Sequence, residues 1–194
     1  LDADTLVRND YLPAVRSFFS SQRSQSAVLS YEHQLPSDPG LQSAICSYEI
    51  FLRYVLLGLR YAGSPYAFHS IGSTIVTTAD AYLAVRGMNR REAGEDFYFL
   101  NKLAKLAPVR TIKETKVYPS ARVSGRVPFG TGAAVDKMTS GQMDERQFYD
   151  PRIFQILKEW LFLMEQSFSS SQEKILADAR KIHPGLYEFL TQRK

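Results

Sequence analysis

The sequence predicts an α/β domain followed by a helical C-terminal extension. Strand-like runs alternate with amphipathic helical runs over the first two thirds of the 194 residues, and helical runs alone follow them. The composition, with 44% hydrophobic, 23% charged and 12% aromatic residues, is typical of a protein with a well-packed interior. At this length we expect one domain.

Capping residues and chain breakers bound most of the predicted helices. In chain order, the helices cover residues 10–19 with Asp10 as the cap, residues 39–61 with Asp38 as the cap, the run between the cap Thr78 and Gly87, residues 94–107, a helix that opens at Asp150-Pro151, and one that opens with a Ser170-x-x-Glu173 capping box. Runs of β-branched and apolar residues predict strands over residues 27–31, 70–77 and 109–118. Glycine and proline predict a loop over residues 119–132.

Composition also bounds the function. The 24 basic residues exceed the 20 acidic ones only mildly and are scattered, so we expect no nucleic-acid partner. Cys46 is the only cysteine, which excludes an intrachain disulfide and fits a reducing compartment. The longest apolar run, residues 54–59, is far shorter than the roughly 20 residues of a membrane-spanning helix. We expect a cytoplasmic protein, and contact with the inner face of a membrane stays open.

The first candidate site is the acidic pair Glu95-Asp96, which follows Gly94 and precedes an apolar run. This setting places the pair in the first turn of a helix, where a carboxylate is held at a fixed depth and can act as a general base. The helix dipole should keep both groups ionised. The alternative is that the two acids only complement the dipole and cap free amides.

A second acidic site, Asp2-Ala3-Asp4, precedes the run Thr5-Leu6-Val7. We expect both carboxylates at the end of a strand, on the rim where α/β folds bind ligands. Two hard oxygen donors one residue apart can engage Mg²⁺ or Mn²⁺ and leave coordination positions for phosphate oxygens. A solvated turn is the other interpretation of so short a motif.

Arginine and histidine supply the remaining candidates. Arg122 and Arg126 stand in the glycine-rich loop and could grip a diphosphate bidentately, or could be two solvated side chains. His69 could bind a metal or a hydroxyl, but a lone histidine is more typical of a packed structural residue. The sequence gives no stronger reason to assign a functional role to His33 or His183.

Three ordered segments resemble the family 2 glycosyltransferases with the GT-A fold. They are Leu1-Asp2-Ala3-Asp4-Thr5, Gly72-Ser73-Thr74-Ile75-Val76 leading to Arg86-Gly87-Met88, and Gly94-Glu95-Asp96-Phe97-Tyr98-Phe99-Leu100. The resemblance covers Leu1 to about Gly132. It implies the C-terminal portion of a GT-A fold: a catalytic and acceptor half with a mixed sheet over residues 1–135, and a helical extension over residues 136–194.

The resemblance implies a role for each candidate residue. Asp4 is the expected ligand of Mn²⁺ or Mg²⁺, with Asp2 beside it in the site that holds the sugar nucleotide. Asp96, next to Glu95, is the expected base that deprotonates the acceptor hydroxyl for inverting, single-displacement transfer. Some relatives use a downstream histidine as a metal ligand, but no histidine lies between Glu95 and His183. Arg122 or Arg126 would stabilise phosphate instead. The acceptor would be a glycan, a lipid or a small molecule.

Two further expectations depend on the resemblance. The Gln-x-x-Arg-Trp motif of processive members is absent, since the only tryptophan is Trp160, so we expect transfer of single sugars. In family members, the segment before the Asp-x-Asp motif binds the nucleotide base, and this chain starts at that motif. We therefore expect the isolated chain to bind donor poorly and turn over little or nothing.

Two other functions stay open: a non-catalytic interaction module, and another phosphate-handling enzyme such as a nucleotidyltransferase.

Overall fold

A computed structural model describes residues 1–90, 94–123, 130–142 and 147–192 of the chain. Its helices are α1 (Tyr11–Ser21), α2 (Pro39–Tyr61), α3 (Ala79–Ala84), α4 (Glu95–Leu106), α5 (Thr131–Thr139), α6 (Arg152–Gln166), α7 (Gln172–Ile182) and α8 (Pro184–Gln192). Its strands are β1 (Leu6–Val7), β2 (Ser26–Tyr31), β3 (Ile75–Thr77) and β4 (Arg110–Tyr118). A 3₁₀ turn over Gly72–Thr74 leads directly into β3.

The described strands form a mixed sheet in the order β1-β4-β2-β3. Strand β2 runs parallel to β4, with Leu29 opposite Ile112, and antiparallel to β3. Strand β1 pairs antiparallel with the end of β4, where Leu6 lies opposite Tyr118. The predicted α/β class and mixed sheet are therefore confirmed, while the finer GT-A assignment stays a prediction.

Side chains of the central strand β2 alternate between two apolar clusters, as in a strand that is buried on both faces. Val28 packs in a cluster with α3 and α4, where Leu100 is fully buried. Leu29 packs in a second cluster with α1 and with Ile112 of β4. The apolar side of α4 is anchored in this first cluster. This packing fixes how far below the protein surface the first turn of α4, which carries Asp96, lies.

Two predicted helix caps are confirmed. Thr78 Oγ1 accepts a hydrogen bond from the N–H of Ala81 at 3.2 Å, at the start of α3. Asp38 Oδ1 accepts one from the N–H of Leu41 at 2.8 Å, at the start of α2. Each bond satisfies an amide that has no partner within its own helix.

Two other predicted caps are wrong. Asp10 precedes α1 but makes no side-chain cap bond, because its carboxylate accepts the hydroxyl hydrogen of Thr115 at 2.7 Å. Helix α7 is capped by Ser171 and not by Ser170. Ser171 has the extended backbone of a capping residue, and its side chain accepts a hydrogen bond from the N–H of Lys174 at 3.3 Å.

The N-terminal acids lie in a turn, and the prediction that they end a strand is wrong. The N–H of Thr5 donates to the carbonyl oxygen of Asp2 at 3.1 Å, which closes the turn, and β1 begins only at Leu6. Leu1 is 62% exposed and has no strand conformation. Asp2 and Asp4 therefore precede the first strand.

The chain folds as two compact units. The first comprises Leu1–Arg53 and Phe68–Gln147, and the second Tyr54–Ala67 and Phe148–Lys194. The first unit holds the sheet and every candidate acid. The predicted domain boundary at residue 135 stays a prediction. Within the described ranges, no helix combines the length and apolar composition that crossing a membrane requires.

Candidate functional site

Asp2 is fixed to the turn that precedes β3. Its Oδ2 accepts a hydrogen bond from Ser73 Oγ at 2.6 Å, and Ser73 Oγ accepts one from the hydroxyl of Thr5 at 2.8 Å. Ser73 is only 2% exposed, so these bonds tie the N-terminal turn to the core. The side chain of Asp2 remains exposed and can be reached by a ligand.

Gly72 lies between Asp2 and Asp96. A Cβ atom at Gly72 would stand 3.8 Å from Asp96 Oδ2 and 4.0 Å from Asp2 Oδ2. Two carboxylates that are far apart in the sequence therefore border one small space, which the absence of a side chain at Gly72 leaves open. The first turn of α4 supplies one wall of this space, and the N-terminal turn supplies the other.

Asp96 is half-buried in the first turn of α4. Its Oδ1 accepts a hydrogen bond from the backbone N–H of Phe97 at 2.7 Å. Burial raises the pKa of the Asp96 carboxyl despite this bond, and the negative charges of Glu95 and Asp2 raise it further. That the helix dipole keeps both acids ionised stays a prediction. Glu95 itself is exposed.

Asp4 forms an ion pair with Arg122. The Nε of Arg122 lies 3.1 Å from Asp4 Oδ2, and the two side chains are 70% and 34% exposed, respectively. The side-chain amide of Gln34 donates to the carbonyl oxygens of Asp4 at 2.8 Å and of Tyr118 at 2.7 Å. Gln34 thus ties the acidic turn to the end of β4. The other candidate arginine, Arg126, lies outside the described residues.

Asp2 and Asp4 are the candidate ligands of a divalent cation at this site. The part of the chain that the structure describes contains no group of three or more His, Cys, Asp or Glu side chains that could hold a metal. Mg²⁺ needs only one or two protein carboxylates when phosphates supply the other oxygens, and Asp2 with Asp4 could provide that number. Arg122 competes for Asp4, since its guanidinium already pairs with that carboxylate.

Sequence reasoning missed a partly buried chain of polar side chains beside α2, formed by Glu49, His33 and Thr131. His33, 2% exposed, donates its backbone N–H to Glu49 Oε1 at 2.6 Å, and its Nδ1 lies 2.8 Å from the same oxygen. His33 Nε2 lies 3.2 Å from Thr131 Oγ1. Burial opposes ionisation, but the hydrogen bonds from His33 and the charge of Arg53 lower the pKa of Glu49 to about 2. The Glu49-x-x-x-Arg53 spacing on a helix is the sequence signal that could have pointed to this chain.

His69 packs against an aromatic ring. Its ring meets that of Tyr31 edge-on, with the centroids 4.9 Å apart. The hydroxyl of Tyr31 is buried and has no hydrogen-bond partner among the described residues. The sequence analysis gave a packed structural residue as the more typical role of a lone histidine, and this ring contact agrees with that role.

Comparison with protein-family models, with curated proteins and with solved structures gave no match for this chain. The arrangement of Asp2 and Asp96 around Gly72 is therefore an observation on this chain alone. The glycosyltransferase assignment that the sequence suggested stays a proposal.

Proposed function

We propose that the protein transfers a sugar from a nucleotide-sugar donor to an acceptor hydroxyl, with inversion and one sugar at a time. The observation that supports this most is the meeting of Asp2 and Asp96 at Gly72. One carboxylate belongs to an Asp-x-Asp turn suited to a cation and its phosphate ligands. The other is half-buried in the first turn of a helix and is suited to accepting a proton.

In this proposal Asp96 removes the proton of the acceptor hydroxyl while the hydroxyl oxygen attacks the anomeric carbon. The bond from that carbon to the diphosphate breaks on the opposite side, so the configuration inverts and the proton ends on Asp96. The raised pKa of Asp96 suits this role, because a base works best when its pKa is near the working pH.

A divalent cation would neutralise the charge of the departing diphosphate. Asp2 and Asp4 are the residues that would hold Mg²⁺ or Mn²⁺ together with the phosphates. Arg122, next to Asp4, would place a guanidinium on the same phosphates.

Nucleotidyl transfer is the second candidate, since it also uses paired acids and a cation. Sugar transfer and nucleotidyl transfer both need a group that removes a proton from the acceptor, and the half-buried Asp96 is suited to this step. A non-catalytic module needs no such group. The products separate the two reactions: sugar transfer releases a nucleoside diphosphate, whereas nucleotidyl transfer attaches the nucleotide to the acceptor and releases pyrophosphate.

Ligand-dependent thermal unfolding of the complete protein tests the proposal. We expect saturating nucleoside diphosphate with Mn²⁺ to raise the unfolding midpoint by about 5 °C, because a ligand that binds only the folded state stabilises it. Asp2→Asn should abolish the Mn²⁺-dependent part of this shift. Asp80→Asn, which alters an exposed acid in the first turn of α3, should retain it.

Three results would contradict the proposal. The first is the absence of a Mn²⁺-dependent shift with every nucleoside diphosphate. The second is an unchanged shift in Asp2→Asn. The third is release of pyrophosphate in place of nucleoside diphosphate during turnover.

A further inference from the structure

The polar chain of Glu49, His33 and Thr131 places an acid, an imidazole and a hydroxyl in series. Glu49 Oε1 lies 2.8 Å from His33 Nδ1, and Thr131 Oγ1 lies 3.2 Å from His33 Nε2. A hydroxyl within hydrogen-bond reach of a base, which is itself oriented by an acid, is the geometry of an activated nucleophile on any fold. None of these three residues has a part in the proposed sugar transfer.

The Glu49 carboxylate decides which nitrogen of His33 carries the proton. Glu49 Oε2 pairs with Arg53 Nη1 at 2.6 Å, and an ionised carboxylate can only accept hydrogen bonds. His33 Nδ1 is therefore the donor to Glu49 Oε1, and a neutral His33 has a bare Nε2. That nitrogen accepts the hydroxyl hydrogen of Thr131, which is the arrangement that precedes transfer of the proton to a general base.

Several contacts hold the His33 ring in the orientation that faces Thr131. Glu49 Oε1 also accepts the backbone N–H of His33 at 2.6 Å, so one carboxylate fixes both the ring and the main chain. The ring of Tyr31 meets that of His33 edge-on, with the centroids 5.5 Å apart. His33 is 2% exposed, whereas Thr131, the first residue of α5, is partly exposed. The base is thus covered, and the hydroxyl beside it is the more accessible group.

Burial of His33 limits the electrophiles that Thr131 could attack. His33 can take the threonine proton, but it is too deeply buried to reach a leaving group and protonate it. The leaving group must therefore depart as a stable anion, such as a thiolate or an aryl oxide. Acyl thioesters and aryl esters meet this condition, whereas alkyl esters and amides do not.

We propose that Thr131 is an acylation site that reacts with acyl thioesters, with His33 as the general base and Glu49 as a positioning residue. Thr131 Oγ1 forms a bond to the acyl carbon while its proton passes to His33 Nε2. The bond from the acyl carbon to sulfur breaks and releases a thiolate, and the protonated His33 stays paired with the Glu49 carboxylate. The product is an ester on Thr131.

Acetylation of the complete protein by S-phenyl thioacetate tests the inference. We expect the wild type to gain an acetyl group on Thr131, located by peptide mass spectrometry and removed by hydroxylamine, which cleaves esters and not amides. Thr131→Ser keeps a hydroxyl and should still be acetylated at this position. Glu49→Gln removes the charge that stabilises the protonated His33, so it should slow the reaction by about 10²- to 10⁴-fold.

Thr139 is the matched control on the same helix. It is exposed, and its hydroxyl donates to the carbonyl oxygen of Val135 at 2.9 Å and not to a base. Thr139 should therefore remain unmodified, and Thr139→Val should leave the acetylation of Thr131 unchanged. Thermal unfolding checks that each variant is folded.

A folded wild type without an acetyl group on Thr131 would overturn the inference, and the three residues would then be a structural hydrogen-bond chain only. Equal modification of Thr131 and Thr139 would overturn it too, and this comparison needs no variant. An unchanged rate in a folded Glu49→Gln protein would remove the roles of His33 and Glu49. The proposed sugar transfer does not depend on any of these results.

Discussion

Asp96→Asn in the complete protein is expected to lower kcat for sugar transfer by about 10²- to 10⁴-fold, the usual contribution of a general base. Asparagine keeps an Oδ1 atom that can accept the 2.7 Å hydrogen bond from Phe97, so the first turn of α4 should stay folded. The amide cannot take a proton, so the acceptor oxygen would attack without assistance. Initial rates at saturating donor and acceptor, with thermal unfolding as a check on folding, measure the effect.

Glu95→Gln is the matched control for this substitution, since it alters the exposed neighbour of Asp96. We expect the kcat of this variant to stay within a few-fold of the wild type. The charge of Glu95 raises the pKa of Asp96, so its removal should shift the acid limb of the pH profile of kcat to lower pH. The assignment of Asp96 as the base is wrong if Asp96→Asn keeps full activity, or if Glu95→Gln loses as much.

Glu49→Ala is expected to lower the free energy of unfolding at neutral pH by about 3 kcal/mol, because it leaves two donors of His33 without a partner. His33 is almost fully buried, so water cannot replace these bonds cheaply. Urea unfolding of the wild type and the variant measures the difference.

The contribution of Glu49 should depend on pH. Its pKa is about 2 in the folded chain, below its ordinary value of 4.5, so its stabilising effect is fully present above about pH 4.5 and is lost as the pH falls toward 2. The difference between the wild type and Glu49→Ala should shrink over this range. Glu32→Ala, which breaks an exposed ion pair with Lys116, should cost less than about 1 kcal/mol. Equal losses for the two variants would contradict the structural role of Glu49.

Local signals in the sequence predicted the elements that local chemistry determines. Helix α2 begins at Pro39, directly after the capping Asp38, and ends at Tyr61, as predicted. Helix α4 begins at Glu95 after Gly94, which has a φ of 75° that glycine adopts without strain. Caps and breakers of this kind act within a few residues, so they can be read without knowledge of the fold.

Pairings between distant segments could not be predicted in this way. The order of the sheet depends on which strands meet, and the two-residue β1 is too short to leave a pattern. The turn at Asp2 depends on Ser73, and the pair of His33 with Glu49 depends on how α2 packs beside β2. Asp10 illustrates the same limit, because its distant partner Thr115 replaces the cap bond that its local sequence suggested.

Sequence motifs identified the candidate acids, but they did not reveal which residues surround those acids in the fold. The sequence singled out Asp2, Asp4 and Asp96 by residue type and spacing. It could not reveal that Arg122 pairs with Asp4, or that Gly72 separates the other two acids. Those facts depend on the tertiary structure, and they decide which carboxylates face the same space.

Gly72→Ala tests most directly the claim that Asp2 and Asp96 border one reaction space. The new methyl group would meet the two carboxylates at 3.8 and 4.0 Å, which are ordinary contacts, so we expect an unchanged unfolding midpoint. It would also occupy the gap in which the reacting groups must lie, so we expect kcat/KM for transfer to fall at least tenfold. A Gly72→Ala protein that folds normally and keeps full activity would contradict the account.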